Sequence, residues 1–200
     1  MTGKDEVTSL ALRVVIDSYE DILGTGGKSS ILNYAALKEF ITSPPPYSEE
    51  VRFPQQFVDQ IIRSSMDVLG ESGTKAIVVR AGRSTIKHIV ENSRDIQLLA
   101  DNRDISRLDK MKGVLGYYAA NINRPPLIDL AEDRAVFHNP GCTLCTGVKS
   151  EKSYCTCVCG VFEGMARYLV GFENARCEEV VCKARGDDEC RYEILLDAAS

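Results

Sequence analysis

Residues 179–191 read Glu179-Val180-Val181-Cys182-Lys183-Ala184-Arg185-Gly186-Asp187-Asp188-Glu189-Cys190-Arg191. Runs of strand character, Arg176 to Lys183 and Cys190 to Leu196, flank the turn residues Gly186-Asp187-Asp188 and predict a β-hairpin. Such a hairpin puts Cys182 and Cys190 on adjacent strands beside the turn. Facing Cβ atoms there lie about 5 Å apart, so two thiolates can share one ion.

Upstream, Cys155 to Val170 has helical spacing, with Phe162, Met165, Ala166 and Leu169 on one face and Cys155 and Cys159 one turn apart. Before it, Asn139-Pro140-Gly141 turns the chain into a loop carrying Cys142-x-x-Cys145, and Leu127–Ala131 with Ala135–His138 forms another hairpin around Glu132-Asp133. All eight cysteines lie between 142 and 190. Cys-x-x-Cys on a turn lets two thiolates reach one tetrahedral ion, and distant cysteines close the site, so metal is the first reading. A disulfide framework is the rival, weakened because 200 residues can bury a core without staples and no signal peptide is visible. His138, four residues before Cys142, is a candidate extra ligand, and His88 lies within a helix. Neither stands beside a serine and an acid as a hydrolytic triad needs.

The N-terminal third is helical. One apolar row runs Val7, Leu10, Ala11, Val14, Ile22 and a second Leu12, Val15, Ile16, Tyr19, Leu23. An arc this wide predicts that one face meets the domain and the other a second subunit, giving a homodimer; burial of both in one core is the alternative. Gly24-Thr25-Gly26-Gly27-Lys28-Ser29 lacks the first glycine and the leading strand of a phosphate loop, and reads as a helix end followed by a new helix. Shifted by 46 residues the chain matches itself: Ile16, Ser18, Asp21, Leu23, Gly24, Gly27, Ile31 and Ala35 fall on Ile62, Ser64, Asp67, Leu69, Gly70, Gly73, Ile77 and Ala81. A duplicated helix–glycine turn–helix unit follows, its copies joined by the stiff Ser43-Pro44-Pro45-Pro46-Tyr47. Thr74–Val90 and Ile105–Ile122 read as further helices. Arg80 and Arg83 are expected to pair with local carboxylates, and Gly113 and Gly116 to permit close packing or to leave room for an apolar ligand.

A composition of 44% hydrophobic and 26% charged residues is that of a soluble globular chain, and the net charge of -5 argues against nucleic acid. No apolar run reaches the roughly 18 residues of a membrane span. Reduced thiols in such a chain point to the cytoplasm.

Glu179 to Arg191, preceded by Cys155, Gly160, Gly164 and Gly171, resembles the signature of the 4-vinyl reductase domain over roughly residues 73–197, including Ala81-Gly82-Arg83. The resemblance implies an α+β fold, an antiparallel four-stranded sheet packed against helices and related to TRAPP subunits and NO-sensing haem domains, here with residues 1–72 as a helical, dimerising extension. It also implies a pocket for small hydrophobic molecules between helices and sheet. In phenol-responsive bacterial activators carrying the domain, zinc is held by three cysteines and a glutamate, which by position are Cys155, Glu179, Cys182 and Cys190. One extra residue between Gly171 and Cys182 leaves Glu178 as an alternative to Glu179. Cys142 and Cys145 resemble the Cys-x-x-Cys of stand-alone members and are candidates for a second metal or redox site. The surplus thiols keep an iron–sulfur cluster open as the alternative cofactor.

These readings converge on a zinc-containing sensory domain that binds a small hydrophobic molecule and signals through a partner protein. A redox protein and a reductase of tetrapyrrole vinyl groups are the alternatives. No residue stands out as an acid, base or hydride-transfer partner, and no glycine fingerprint for a dinucleotide follows a strand. Outside the metal ligands, the Cys142–Cys145 pair is expected to be the most reactive, because Lys149 and Lys152 share its loop.

Overall fold

In the computed structural model, residues 6–122, 125 and 127–196 are described, with the backbone alone for 71–78 and 81. The long helices α1 (Ser9–Tyr34) and α3 (Gln56–Asn92) are each broken once, at Gly24 (φ 70°, ψ 174°) and Gly70 (φ 69°, ψ 167°). These glycines stand 46 residues apart and share one left-handed conformation that a side chain would disfavour, so the internal repeat is present in the backbone as well. Tyr19 and Ser65, hydrogen-bonded at 2.7 Å, are also separated by that offset, so equivalent positions of the two copies meet where α1 packs on α3. The later matches Gly73, Ile77 and Ala81 lie outside the described side chains. Between the long helices the chain forms α2 (Glu39–Thr42) and a small two-stranded sheet, β1 (Glu6–Thr8) with β2 (Arg52–Pro54). Three-residue strands are too short to show an alternation, and neither was expected.

Both apolar rows of α1 are covered within the chain: Leu10 and Val14 of one row, and Leu12, Ile16 and Tyr19 of the other, are at most 3% exposed. The argument for a homodimer through a second, water-facing row therefore loses its premise. The helix α3 crosses residue 72 without interruption other than the bend at Gly70.

After α4 (Arg94–Asp101) and α5 (Arg107–Asn121) come β3 (Leu127–Leu130), β4 (Arg134–Asn139), α6 (Thr156–Gly164), which continues as a wider turn over Met165–Val170, then β5 (Arg176–Val181) and β6 (Cys190–Leu195). Both expected hairpins form, and they join into one antiparallel sheet of order β3-β4-β6-β5. The fold is thus the expected α+β, a four-stranded antiparallel sheet with helices against it. Ala135 and Phe137 of β4 and Tyr192 and Ile194 of β6 are 0% exposed, as alternation along a half-buried sheet requires. Phe162 of α6 packs on Tyr118, Phe137 and Tyr192 at centroid distances of 4.9, 5.1 and 5.4 Å and fixes α6 over the sheet.

On its other side α6 meets α3 at backbone contact. A Cβ on Gly160 would lie 2.2 Å from the Val79 carbonyl oxygen, and one on Gly82 would lie 2.6 Å from that of Cys157. Arg83 closes this seam with a charge-assisted pair to the buried Glu163 carboxylate, as expected of an arginine near a local acid. Gly113 admits the Leu99 side chain of α4, whereas Gly116 faces open space.

Candidate functional site

The expected ligands meet at the start of α6. Cys155 stands at the N-terminal cap, Cys182 and Cys190 flank the hairpin turn, and Glu179 comes from β5; their ligand atoms all lie within 4.8 Å of one another. A β-bulge between Glu179 and Val181 takes up one residue of β5. Before the bulge the register is regular: Glu179 pairs with the inward-facing Tyr192 and is 3% exposed, while Glu178, opposite Glu193, faces water. One carboxylate oxygen of Glu179 accepts the Cys155 backbone N–H at 2.8 Å; the other is buried with no hydrogen-bond partner. An orphaned buried carboxylate oxygen among thiols is a donor suited to a cation. The hairpin signature has its own local cause. Gly186 takes φ 102°, Asp187 accepts the Cys182 N–H at 2.9 Å, and the Lys183 N–H points at the Cys190 sulfur at 3.5 Å.

Cys142 and Cys145 belong to the same cluster. The Cys145 sulfur lies 3.2 Å from Cys155, 3.5 Å from Cys190 and 3.8 Å from Cys182, and Cys142 lies 3.5 Å from Cys155. Cys142, Cys145, Cys155 and Cys190 form a second quartet within 4.8 Å. At 6% exposure each, Cys142 and Cys145 are not the water-exposed thiols that their lysine-bearing loop suggested. Their loop is clamped by Arg63 of α3, which donates to the carbonyls of Thr143, Leu144 and Thr146 at 3.2, 2.9 and 2.8 Å. Nothing in the local sequence pairs Arg63 with a loop about 80 residues later, and it escaped the sequence reading. Arg63→Ala should loosen this loop, and alkylation of Cys142 and Cys145 in native protein should accelerate at least about tenfold if the clamp contributes roughly 1.5 kcal/mol. An unchanged labelling rate would deny Arg63 that role.

Crowding acids into a dry place shifts their protonation. Burial, reinforced by the neighbouring Cys182, pushes the Glu179 carboxyl up to about 10. A thiol hydrogen bond from Cys155 draws Cys182 down to about 4, while the Cys155 thiol itself, surrounded by four other thiols, is pushed up. All of these groups can be anionic together only beside a cation.

His138 is not part of the cluster; its ring nitrogens pair with Glu189 at 3.0 Å and Asp129 at 3.1 Å on the outer face of the sheet. His88 pairs with Asp21 at 2.8 Å. Cys157, buried at 7%, leaves the cluster for an apolar cavity of about 120 Å³ between α1, α3, α5 and α6. Its walls include Val14, Ile62, Tyr118, Val158 and Met165. The pocket was expected between helices and sheet. It lies instead among the helices, because Phe137, Phe162 and Tyr192 fill the space over the sheet.

No protein-family model and no characterised sequence matches the chain. Solved structures do match in fold. An H-NOX protein from S. oneidensis in the Fe(II)NO ligation state is 14% identical, with 92% of this chain and 98% of that one covered and a TM-score of 0.53. An oxygen-binding H-NOX domain related to soluble guanylate cyclases is 16% identical over 92% of each chain, TM-score 0.53. A structure described as probing haem distortion in the H-NOX family is 14% identical over 96% and 97%, TM-score 0.56. The chain therefore has an H-NOX-like α+β fold, spanning nearly the full length of those proteins.

The expectation of zinc, or of an iron–sulfur cluster, as cofactor is corrected by these neighbours, since the cofactor named for proteins of this fold is haem. Cysteine spacing reports which donors converge; it carries no information on what the fold's apolar cavity holds. Haem in turn does not fit this chain as it stands. The cavity is close in size to the roughly 150 Å³ that accommodates one benzene, far too small for a porphyrin, and neither of the chain's two histidines lines it.

Proposed function

We propose that the chain is a small-molecule-binding sensory domain. It takes an apolar molecule the size of a single-ring aromatic into the helical cavity and holds a thiophilic divalent ion at Cys155, Glu179, Cys182 and Cys190. The observation that carries this reading is the position of α6: Cys155 at its cap lies in the thiol cluster, and Cys157 and Val158, within its first turn, line the cavity. An ion that fixes the cap therefore fixes one wall of the ligand site, and coupling between the two follows from a shared rigid element.

In this reading residues 1–72 supply the wall formed by α1 and the start of α3, and residues 73–197 supply the opposite wall and the cluster. The resemblance of Glu179 to Arg191 to the 4-vinyl reductase signature supports a ligand-binding role, as does likeness in fold to structures described in NO-ligated and oxygen-bound states. Eight unpaired cysteines suit a reducing compartment such as the cytoplasm, and no described helix is long and apolar enough to cross a membrane. In this reading the signal passes to a partner protein.

Toluene tests the cavity. At about 100 times its Kd a ligand adds roughly 2.7 kcal/mol of stability, which for a chain of this size raises the melting temperature by about 5 °C or more. Ala11→Phe fills the cavity from α1 and should abolish that shift while leaving the protein folded. A shift of equal size in both proteins, or in neither, would refute the proposed binding site.

A further inference from the structure

The cluster offers more donors than one ion can use. Resting on the metal-site reading above, we infer that it is a two-ion centre: the thiolates of Cys155 and Cys190 bridge two divalent thiophilic ions, one closed by Cys142 and Cys145, the other by Glu179 and Cys182.

Cys155 and Cys190 are the two residues common to both quartets, Cys142-Cys145-Cys155-Cys190 and Cys155-Glu179-Cys182-Cys190. Two tetrahedral ions that share an edge need 4 + 4 − 2 = 6 donors, the number that the two quartets supply together. Metal–sulfur bonds of about 2.3 Å place the sulfurs of one tetrahedron about 3.8 Å apart. Within the quartet of Cys142, Cys145, Cys155 and Cys190 the sulfur–sulfur distances, 3.2, 3.5, 3.5 and 4.0 Å, lie around that edge length.

Each arrangement with a single ion strands something. An ion on Cys145, Cys155, Cys182 and Cys190 leaves the Glu179 oxygen buried without a partner and Cys142 unused. An ion on the quartet with Glu179 leaves Cys142 and Cys145 packed against Cys155 at 3.5 and 3.2 Å with nothing to bind. Charge argues the same way. Five thiolates and a carboxylate carry six negative charges in residues that are 0–6% exposed. One divalent ion would leave −6 + 2 = −4 in that dry space, and two leave −6 + 4 = −2, a residue that the backbone N–H groups of Cys155 and Lys183 further offset. The Arg63 clamp gains a purpose in this picture, since it holds in place the loop that brings the second pair of ligands.

The test is the number of Cd²⁺ ions retained by full-length protein after metal-free preparation, loading and desalting, read by native mass spectrometry and by ¹¹³Cd NMR. The wild-type chain should hold two ions with two resonances of equal area. The Cys142→Ser/Cys145→Ser double variant should hold one. One ion in both proteins would overturn the two-ion centre while sustaining the single-site reading, and no ion in the wild type would overturn both. Two ions in the double variant would place the second ion elsewhere and equally overturn the proposal. Because the wild-type count decides by itself, a double variant that fails to fold does not shelter the idea.

Discussion

Cys155→Ser should leave the purified protein without bound metal and lower its stability by at least about 3 kcal/mol. Cys155 is common to both quartets of ligands and is 0% exposed. It also sits where α6, the Cys142–Cys145 loop and the β5–β6 hairpin converge, so an ion at this point ties together three segments that local sequence leaves independent. Metal affinity at such a site is folding free energy, since the unfolded chain does not present the ligands together. Serine is a poor ligand for a thiophilic ion and would place a hydroxyl among buried thiols. Cys177→Ser is the control: Cys177 contacts Cys159 rather than the cluster, so the metal should remain. Denaturant unfolding with elemental analysis reads both quantities. Full metal content in Cys155→Ser would remove this cysteine from the site.

Gly160→Ala should cost about 3 kcal/mol or more, and Gly116→Ala should stabilise by up to about 1 kcal/mol. The two substitutions are chemically identical and both fall in helices. At 160 the new methyl would meet backbone atoms of Val79 at 2.2 and 2.9 Å, and neither α3 nor α6 can retreat alone, because Phe162 and the Arg83–Glu163 pair fix α6 on both sides. At 116 the methyl has nothing within 4 Å, so only the gain in helix propensity remains. Opening the α3–α6 seam would also separate Gly82 from Val161, both of which line the cavity, so Gly160→Ala should weaken ligand binding in whatever fraction folds. Paired melting curves check the opposite signs.

Legibility followed the range of the forces involved. The hairpins and the four-stranded sheet could be read because strand alternation and turn residues are short-range signals; Cys155, Glu179, Cys182 and Cys190 were grouped by the resemblance of residues 179–191, and the fold brings these four side chains together. The repeat was legible because Gly24 and Gly70 meet the same backbone demand twice. What escaped was long-range. Cys142 and Cys145 read as a separate site because their merging with Cys155 depends on how the loop is tethered by Arg63, which is remote in sequence. The cavity was assigned to the wrong layer because the sequence does not disclose that three aromatic rings close the space over the sheet. Both rows of α1 were apolar, yet only the packing of α3 decides whether the second row needs a partner. The cofactor, inferred from donor atoms, was overturned by fold likeness, since a cysteine cluster and an apolar cavity are separate features that share one helix.

That shared helix is the centre of the account, and calorimetric titration of toluene into metal-loaded and chelator-stripped protein tests it most directly. Coupling through α6 predicts affinities that differ by about fivefold or more between the two forms, and by linkage an equal effect of toluene on metal affinity. Equal toluene affinity in two forms that are both folded would show that the cavity does not sense the cluster, and would contradict the account.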